Sequence, residues 1–169
     1  MVKERVTVPC WPARRAAGGY FGFGWLIPEG LLTVRWRAAA FAAAGLAAKA
    51  RVLPGDFSRD ALPTGADLIT FVRVLHDHDD PRVERMLRAA YEALPPGGRL
   101  LVAEPLAGTA GAGRMGDAYF GVYLWAMGSG RPRTAAELTD MLRAAGFRRI
   151  RRRPTRIPLQ TSVLVAERG

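Results

Sequence analysis

The sequence predicts an α/β fold, a mostly parallel sheet covered by helices with a C-terminal antiparallel hairpin. Two observations support this class. Short apolar runs typical of buried strands alternate with amphipathic stretches that begin and end on capping residues. Two further strand-like runs follow each other at the end of the chain, at a spacing compatible with a hairpin. The 169 residues suit one domain, and 49% apolar with 24% charged residues excludes global disorder.

Residues 1–36 follow neither a helical nor a strand period, and we leave them unassigned. This segment contains three of the four tryptophans and the single cysteine. Gly19, Gly22 and Gly24 do not indicate a nucleotide-binding loop, because the segment offers no preceding strand and no following helix. We expect residues 1–36 to be an out-of-frame or rearranged start and residues 37–169 to be the ordered unit.

From residue 37 onward the pattern becomes regular. The alanine-rich stretch 37–49 predicts a helix, and residues 50–53 predict a short strand. The mostly apolar run 66–75, rich in Ile, Phe and Val, predicts a strand that is buried on both faces.

The second half of the chain carries clear helix signals. Asp80 is a plausible N-cap with Pro81 at the first helical position. Thr134 and Glu137 have the spacing of a capping box. The other predicted elements are a strand, two helices and two closing strands, at residues 99–104, 116–127, 134–145, 147–153 and 161–167.

Composition excludes several classes of protein. The single Cys10 rules out a disulfide framework and a cysteine-based zinc site. No apolar run reaches the roughly 18 residues of a membrane-spanning helix, and no signal peptide is recognisable, so we expect a cytoplasmic protein.

The net charge of +10 favours anionic partners, and arginine is concentrated at residues 148–153. That run is compatible with a charged strand at a sheet edge, with a phosphate-contacting strand, or with the amino-acid usage of a high-GC genome. Nucleic acid is the disfavoured partner, because no aromatic residue is interleaved with these arginines.

Three polar clusters follow predicted strands: residues 55–57, residues 76–80 and Glu104. Ligands of α/β sheets bind beyond the carboxyl ends of strands, so these clusters locate a candidate site. His76 is a candidate general base, and Glu104 could accept the other ring N–H. A plain strand end with turn-forming aspartates fits equally well. Metal binding by His76, His78 and the aspartates is disfavoured, because adjacent ligands on one loop rarely complete a coordination sphere.

Four motifs in order resemble the S-adenosylmethionine-dependent O-methyltransferases of the plant caffeate and bacterial antibiotic type. They are Gly55-Asp56-Phe57, residues 73–80 (RVLHDHDD), residues 93–98 (ALPPGG) and Val102-Ala103-Glu104. Residues 116–120 and 127–134 are most similar to the bacterial carotenoid branch, which methylates the tertiary hydroxyl of hydroxyneurosporene or demethylspheroidene. The resemblance covers residues 37–169 and implies part of a Rossmann-like class I methyltransferase fold.

The resemblance also implies residue roles. His76 would be the general base on the substrate hydroxyl, with Glu104 as the carboxylate that orients it. The implied cofactor is S-adenosylmethionine, the substrate is a small hydroxylated molecule, and no metal is involved. The remaining roles are adenosine binding by Asp56 and Phe57, and lining of the acceptor pocket by Tyr123 and Met127.

The sequence departs from this family in several places. The glycine-rich cofactor loop expected about fifty residues before Asp56 is absent, since residues 5–10 read RVTVPC. Pro132 stands where plant members carry a second carboxylate beside the base. Family members are homodimers, and we expect the domain that usually mediates dimerisation to be missing here. Two alternatives to an enzyme therefore remain: a truncated, non-catalytic remnant, and a basic module that binds a membrane surface or nucleic acid.

Overall fold

The computed structural model describes residues 60–110, 118–156 and 161–169. They form four strands, three α-helices and a 3₁₀ turn at Leu75–Asp77. The strands are β1 (Leu68–Val72), β2 (Arg99–Glu104), β3 (Phe147–Arg153) and β4 (Ser162–Arg168). The helices are α1 (Asp80–Ala93), α2 (Ala118–Met127) and α3 (Ala135–Ala144).

The four strands form one mixed sheet in the order β1-β2-β4-β3. β1 and β2 are parallel, whereas β4 is antiparallel to both β2 and β3. The α/β class and the C-terminal antiparallel hairpin are therefore confirmed. The helix predicted at residues 37–49, the strand predicted at 50–53 and the segment 1–36 lie outside the described residues.

The core lies between the sheet and helices α1 and α3. Alternate residues of β1, β2 and β4 point into it, as the period of two requires, whereas β3 contributes Phe147 and the partly buried Ile150 on either side of a register shift. The apolar stripe of α1 and two leucines of α3 cover the same side. The buried residues of this core are Ile69, Phe71, Leu75, Val83, Met86, Leu87, Ala90, Ala93, Leu94, Leu100, Val102, Leu106, Leu138, Leu142, Phe147, Leu164 and Ala166. Within the described ranges, no helix is long and apolar enough to cross a membrane.

Two predicted boundaries are wrong in an informative way. The strand predicted to run to residue 75 ends at Val72, because Arg73 adopts a positive φ of 52° and turns the chain. Asp80 is the first residue of α1 and not its N-cap, a position that Asp79 occupies without a side-chain cap bond. The carboxylate of Asp80 binds arginine side chains of a distant segment instead. In contrast, Thr134 and Glu137 form the predicted capping box of α3.

Candidate active site

The residues that follow β1 form a short turn beside the carboxyl end of β2. Arg73 donates its backbone N–H to the carbonyl of Ala103 at 2.8 Å, which is the last link between the two strands. The 3₁₀ turn then follows, and the N–H of His78 bonds to the carbonyl of Leu75 at 3.2 Å. We call residues 74–78 the histidine turn. Its position places His76 at the carboxyl ends of two parallel strands, where the sequence predicts the site.

Glu104, the last residue of β2, binds this turn through both oxygens of its carboxylate. Its Oε1 accepts the backbone N–H groups of Val74 and Leu75, each at 2.8 Å. Its Oε2 lies 2.5 Å from Nδ1 of His76. The Glu104 side chain is 2% exposed, so three donors replace the water that a buried carboxylate loses.

This contact assigns the two nitrogens of the His76 ring. A carboxylate accepts hydrogen bonds, so Nδ1 carries the proton that faces Glu104. The lone pair of a neutral imidazole is then on Nε2, on the opposite side of the ring. The structure thus brings together His76 and Glu104, the two residues that the sequence singles out as base and orienting group.

Asp77 lies on the other side of the same ring. Its Oδ1 is 3.2 Å from Nε2 of His76, and its side chain is 10% exposed. Burial raises the pKa of Asp77 to about 6, and the charge of Glu104 acts in the same direction, while His76 opposes the shift. This carboxyl therefore changes its protonation state close to neutral pH, directly beside the nitrogen that would accept a proton.

His78 has a different environment from His76. Burial lowers the pKa of His78 to about 4, and the positive charges of Arg82 and Arg133 add to the shift. A neutral His78 is therefore expected at physiological pH. The described ranges contain no group of three or more His, Cys, Asp or Glu side chains that could hold a metal ion.

Helix α2 adds aromatic side chains above the histidine turn. The Phe120 ring meets the His76 ring edge-on, with centroids 5.9 Å apart, and the guanidinium of Arg73 lies 5.6 Å from the Phe120 centroid. Tyr123 is half-buried, and burial together with the charge of Asp77 raises the pKa of its hydroxyl. The half-buried phenol of Tyr123 is thus close enough to interact electrostatically with the carboxylate of Asp77, which adjoins His76.

The other predicted site residues are placed less fully. Met127 is the last residue of α2, and its side chain is outside the described part of the structure. Asp56 and Phe57, predicted at the adenosine end of the cofactor, also lie outside the described residues. Their roles stay predictions.

Sequence reasoning missed two residues of the segment 129–133. Gly130 has a φ of +86°, and a Cβ atom there would lie 2.2 Å from the carbonyl oxygen of His76. Arg133 is 2% exposed and bonds to the carbonyls of Leu75 and His78. The available signal was a dense group of glycine, proline and arginine between two helices, but nothing in the sequence says which loop it contacts.

Comparison with known proteins shows that this chain is similar to O-methyltransferases. An O-methyltransferase domain family matches residues 29–148 of this chain. The chain is 50% identical over 116 residues to the demethylspheroidene O-methyltransferase of Rhodobacter capsulatus, covering 69% of this chain and 30% of that protein. It is 45% identical over 125 residues to the demethylspheroidene O-methyltransferase of Cereibacter sphaeroides, covering 74% of this chain and 33% of that protein.

The fold also matches a solved structure. The human N-acetylserotonin methyltransferase, in a crystal structure with S-adenosylmethionine, superposes with a TM-score of 0.64 at 29% identity. That match covers 72% of this chain and 34% of the human chain. The chain therefore spans about a third of the length of the curated relatives that it matches. The resemblance seen in the sequence motifs is confirmed.

Proposed function

This chain belongs to the O-methyltransferase family, and we propose that it binds S-adenosylmethionine and methylates a hydroxyl group of an acyclic carotenoid. One observation carries the proposal: a buried carboxylate, Glu104, holds Nδ1 of His76 at 2.5 Å. This is how a neutral imidazole is oriented for proton transfer. The relatives at 45% and 50% identity, both named demethylspheroidene O-methyltransferases, support the carotenoid acceptor.

The position of His76 at the carboxyl ends of β1 and β2 fits a site for a methyl donor of this kind. When bound, S-adenosylmethionine supplies a methyl group from a sulfonium centre, and the electron pair of the broken C–S bond stays on sulfur. Ligands of α/β sheets bind beyond the carboxyl ends of the strands, which is where the histidine turn lies. Asp56 and Phe57 would hold the adenosine end, in line with the motif that they share with the family.

His76 would act on the acceptor and not on the cofactor. Its Nε2 takes the hydroxyl proton while the oxygen forms its bond to the methyl carbon, so the product leaves as a neutral ether. A tertiary alcohol is a weak acid, so proton removal has to accompany methyl transfer and cannot precede it. A positioned base of this type contributes about 10²- to 10⁴-fold to the rate.

Helix α2 would form the wall of the acceptor pocket. Phe120 lies against the His76 ring, Tyr123 is half-buried near Asp77, and Met127 follows one turn later. An aromatic lining suits a long hydrocarbon acceptor that carries one hydroxyl group.

Two measurements test this function. Titration of the chain with S-adenosylhomocysteine in a calorimeter is expected to show micromolar binding, and His76→Ala should leave that binding intact. A methylation assay with hydroxyneurosporene should then lose at least about a hundredfold in rate for His76→Ala. Glu92→Gln, which removes a carboxylate from the exposed side of α1, is the control with unchanged rate. A folded chain that binds no S-adenosylhomocysteine at millimolar concentration would instead be a non-catalytic remnant.

A peripheral contact with an anionic membrane is a second proposal, which a lipid-dissolved acceptor would require. The supporting observation is a groove lined by four arginines, with Glu167 as its acidic member: Arg99, Arg149, Arg151 and Arg153. Sedimentation with phosphatidylglycerol vesicles should show binding that weakens steeply with salt, and phosphatidylcholine vesicles should show none. Preference for duplex DNA over these vesicles would support a nucleic-acid module instead, although none of the described residues that line the groove is aromatic.

A further inference from the structure

The histidine turn is held from a second side, by a segment that the proposed chemistry does not use. We propose that Arg133 is a positioning residue that sets His76 against Glu104, an inference that rests on the proposed function of His76.

The guanidinium of Arg133 spans the turn. Its Nη1 donates to the carbonyl of Leu75 at 2.8 Å, and its Nη2 donates to the carbonyl of His78 at 2.7 Å. These two carbonyls flank His76 and Asp77 in the sequence. Because the guanidinium is planar and rigid, two bonds to it fix the separation of the carbonyls and therefore the shape of the turn between them.

Glu104 and Arg133 act on opposite polar groups of the same turn. Glu104 accepts the N–H groups of Val74 and Leu75, whereas Arg133 binds carbonyls. The hydroxyl of Ser129 adds a longer bond, 3.3 Å, to the carbonyl of Asp77. The turn is thus fixed through its donors by β2 and through its acceptors by the segment 129–133.

The backbone of Arg133 completes the connection to Glu104. Its carbonyl accepts the N–H of Ala107 at 2.9 Å, and the next residue, Thr134, forms a single parallel β-bridge with Ala107. Ala107 is three residues beyond Glu104. Arg133 therefore joins the chain that carries the carboxylate to the turn that carries the imidazole, and a change in its side chain is expected to alter the Nδ1 to Oε2 contact.

Burial separates Arg133 from its neighbour Arg131. The Arg133 side chain is 2% exposed, and Asp80 balances its charge with Oδ1 at 2.6 Å from Nη2. Arg131 is 40% exposed and binds the carboxylates of Asp80 and Glu137 but no atom of the histidine turn. Burying a charged side chain costs free energy that an apolar side chain of similar size would not. The contacts with the histidine turn are what distinguishes Arg133 from Arg131.

The bond between His76 and Glu104 can be observed without turnover. A proton in a short N–H···O bond resonates far downfield, and the chain has only two histidines, so His78→Asn completes the assignment. The wild-type chain, with its histidine rings labelled with ¹⁵N, should show this Nδ1 proton as one sharp signal. Arg133→Lys keeps the positive charge but removes the planar guanidinium that binds both carbonyls. In this variant the signal should be lost or broadened at least severalfold. Arg131→Lys is the matched control, with an unchanged signal.

The outcomes separate this inference from the proposed function. An unchanged Nδ1 signal in a folded Arg133→Lys variant overturns the positioning role, whatever the activity. A signal that depends on Arg133 in a chain without methyl transfer keeps the positioning role and overturns the enzymatic proposal. In an active chain, Arg133→Lys should lower kcat by about tenfold or more with little change in KM, because a small displacement of a catalytic group is costly.

A second variant covers the case in which Arg133→Lys does not fold. Asp80→Asn leaves both carbonyl contacts of Arg133 available and removes the charge that orients its guanidinium. We expect a weaker broadening of the same Nδ1 signal. A wild-type signal in a folded Asp80→Asn variant would count against the inference.

Discussion

The histidine turn and strand β3 both concentrate polar residues, yet the fold treats their charges in opposite ways. The two charged residues that bind the turn, Glu104 and Arg133, are each 2% exposed, and each makes two hydrogen bonds to backbone groups of the turn. On β3, five of the seven residues are exposed arginines. One of them, Arg149, bonds to Glu167 at 2.9 Å. Removing a buried charged partner is costly, whereas exposed ion pairs contribute little, so the two regions should respond very differently to substitution.

The largest effect is expected from Glu104→Ala. The change leaves two backbone N–H groups and the Nδ1 proton of His76 without their buried acceptor. We expect a loss of about 3–5 kcal/mol in the free energy of unfolding, measured by urea denaturation. Glu92→Ala, on the exposed side of α1, should change it by less than about 0.5 kcal/mol. Similar effects of the two variants would break the contrast between buried and exposed charge.

A pair of glycine variants sharpens the role of the segment 129–133. Gly128 and Gly130 have φ angles of +74° and +86°, so alanine is strained at both positions. Nothing lies within 4 Å of a Cβ at Gly128, whereas one at Gly130 would be 2.2 Å from the carbonyl oxygen of His76. Gly128→Ala should cost about 1–2 kcal/mol of unfolding free energy. Gly130→Ala should cost about 2 kcal/mol more, and equal costs would contradict the close approach.

Stability against pH tests the buried Asp77. Its pKa is raised from 3.8 to about 6 in the folded chain, so the stability that its protonated form contributes is present at low pH and is lost as pH rises through this window. Asn at position 77 cannot ionise. As pH rises from 4 to 6, the free energy of unfolding of Asp77→Asn should therefore increase by about 2 kcal/mol relative to that of the wild-type chain.

The wild-type curve alone does not isolate this effect. The pKa of His78 is lowered to about 4 from 6.5, so its contribution is lost as pH falls over nearly the same range. The difference between Asp77→Asn and wild type cancels the His78 contribution. A difference that stays flat from pH 4 to pH 6 would show that Asp77 has an ordinary pKa.

The smallest effect is expected on β3. Arg151 is exposed on a strand at the edge of the described sheet, and Arg151→Gln should change the unfolding free energy by less than about 0.5 kcal/mol. The same variant should weaken binding to phosphatidylglycerol vesicles if the arginine groove contacts lipid. A destabilisation comparable to that of Glu104→Ala would show that these arginines support the fold and not a surface.

Much of the local structure was readable in the sequence because it depends on neighbouring residues. The capping box of α3, the apolar stripe of α1 and the strand that ends at Glu104 follow from spacing alone. The prediction that the strand continues to residue 75 was wrong, because the apolar residues Val74 and Leu75 extend the apolar pattern of the strand. Their backbone N–H groups bind a carboxylate 30 and 29 residues away, and no local pattern encodes that partner.

The class of fold and the family follow from the sequence alone, and the sequence also singled out His76 and Glu104 as the candidate base and orienting carboxylate. Three features of the site follow only from the folded chain: which nitrogen of His76 faces Glu104, the place of Asp77 on the other side of the ring, and the two bonds by which Arg133 spans the turn. The two kinds of interaction differ in the sequence separation over which they act. Capping and apolar periodicity act over a few residues, whereas a buried hydrogen-bond network takes partners from wherever the fold brings chains together, as with Leu75 and Arg133, 58 residues apart.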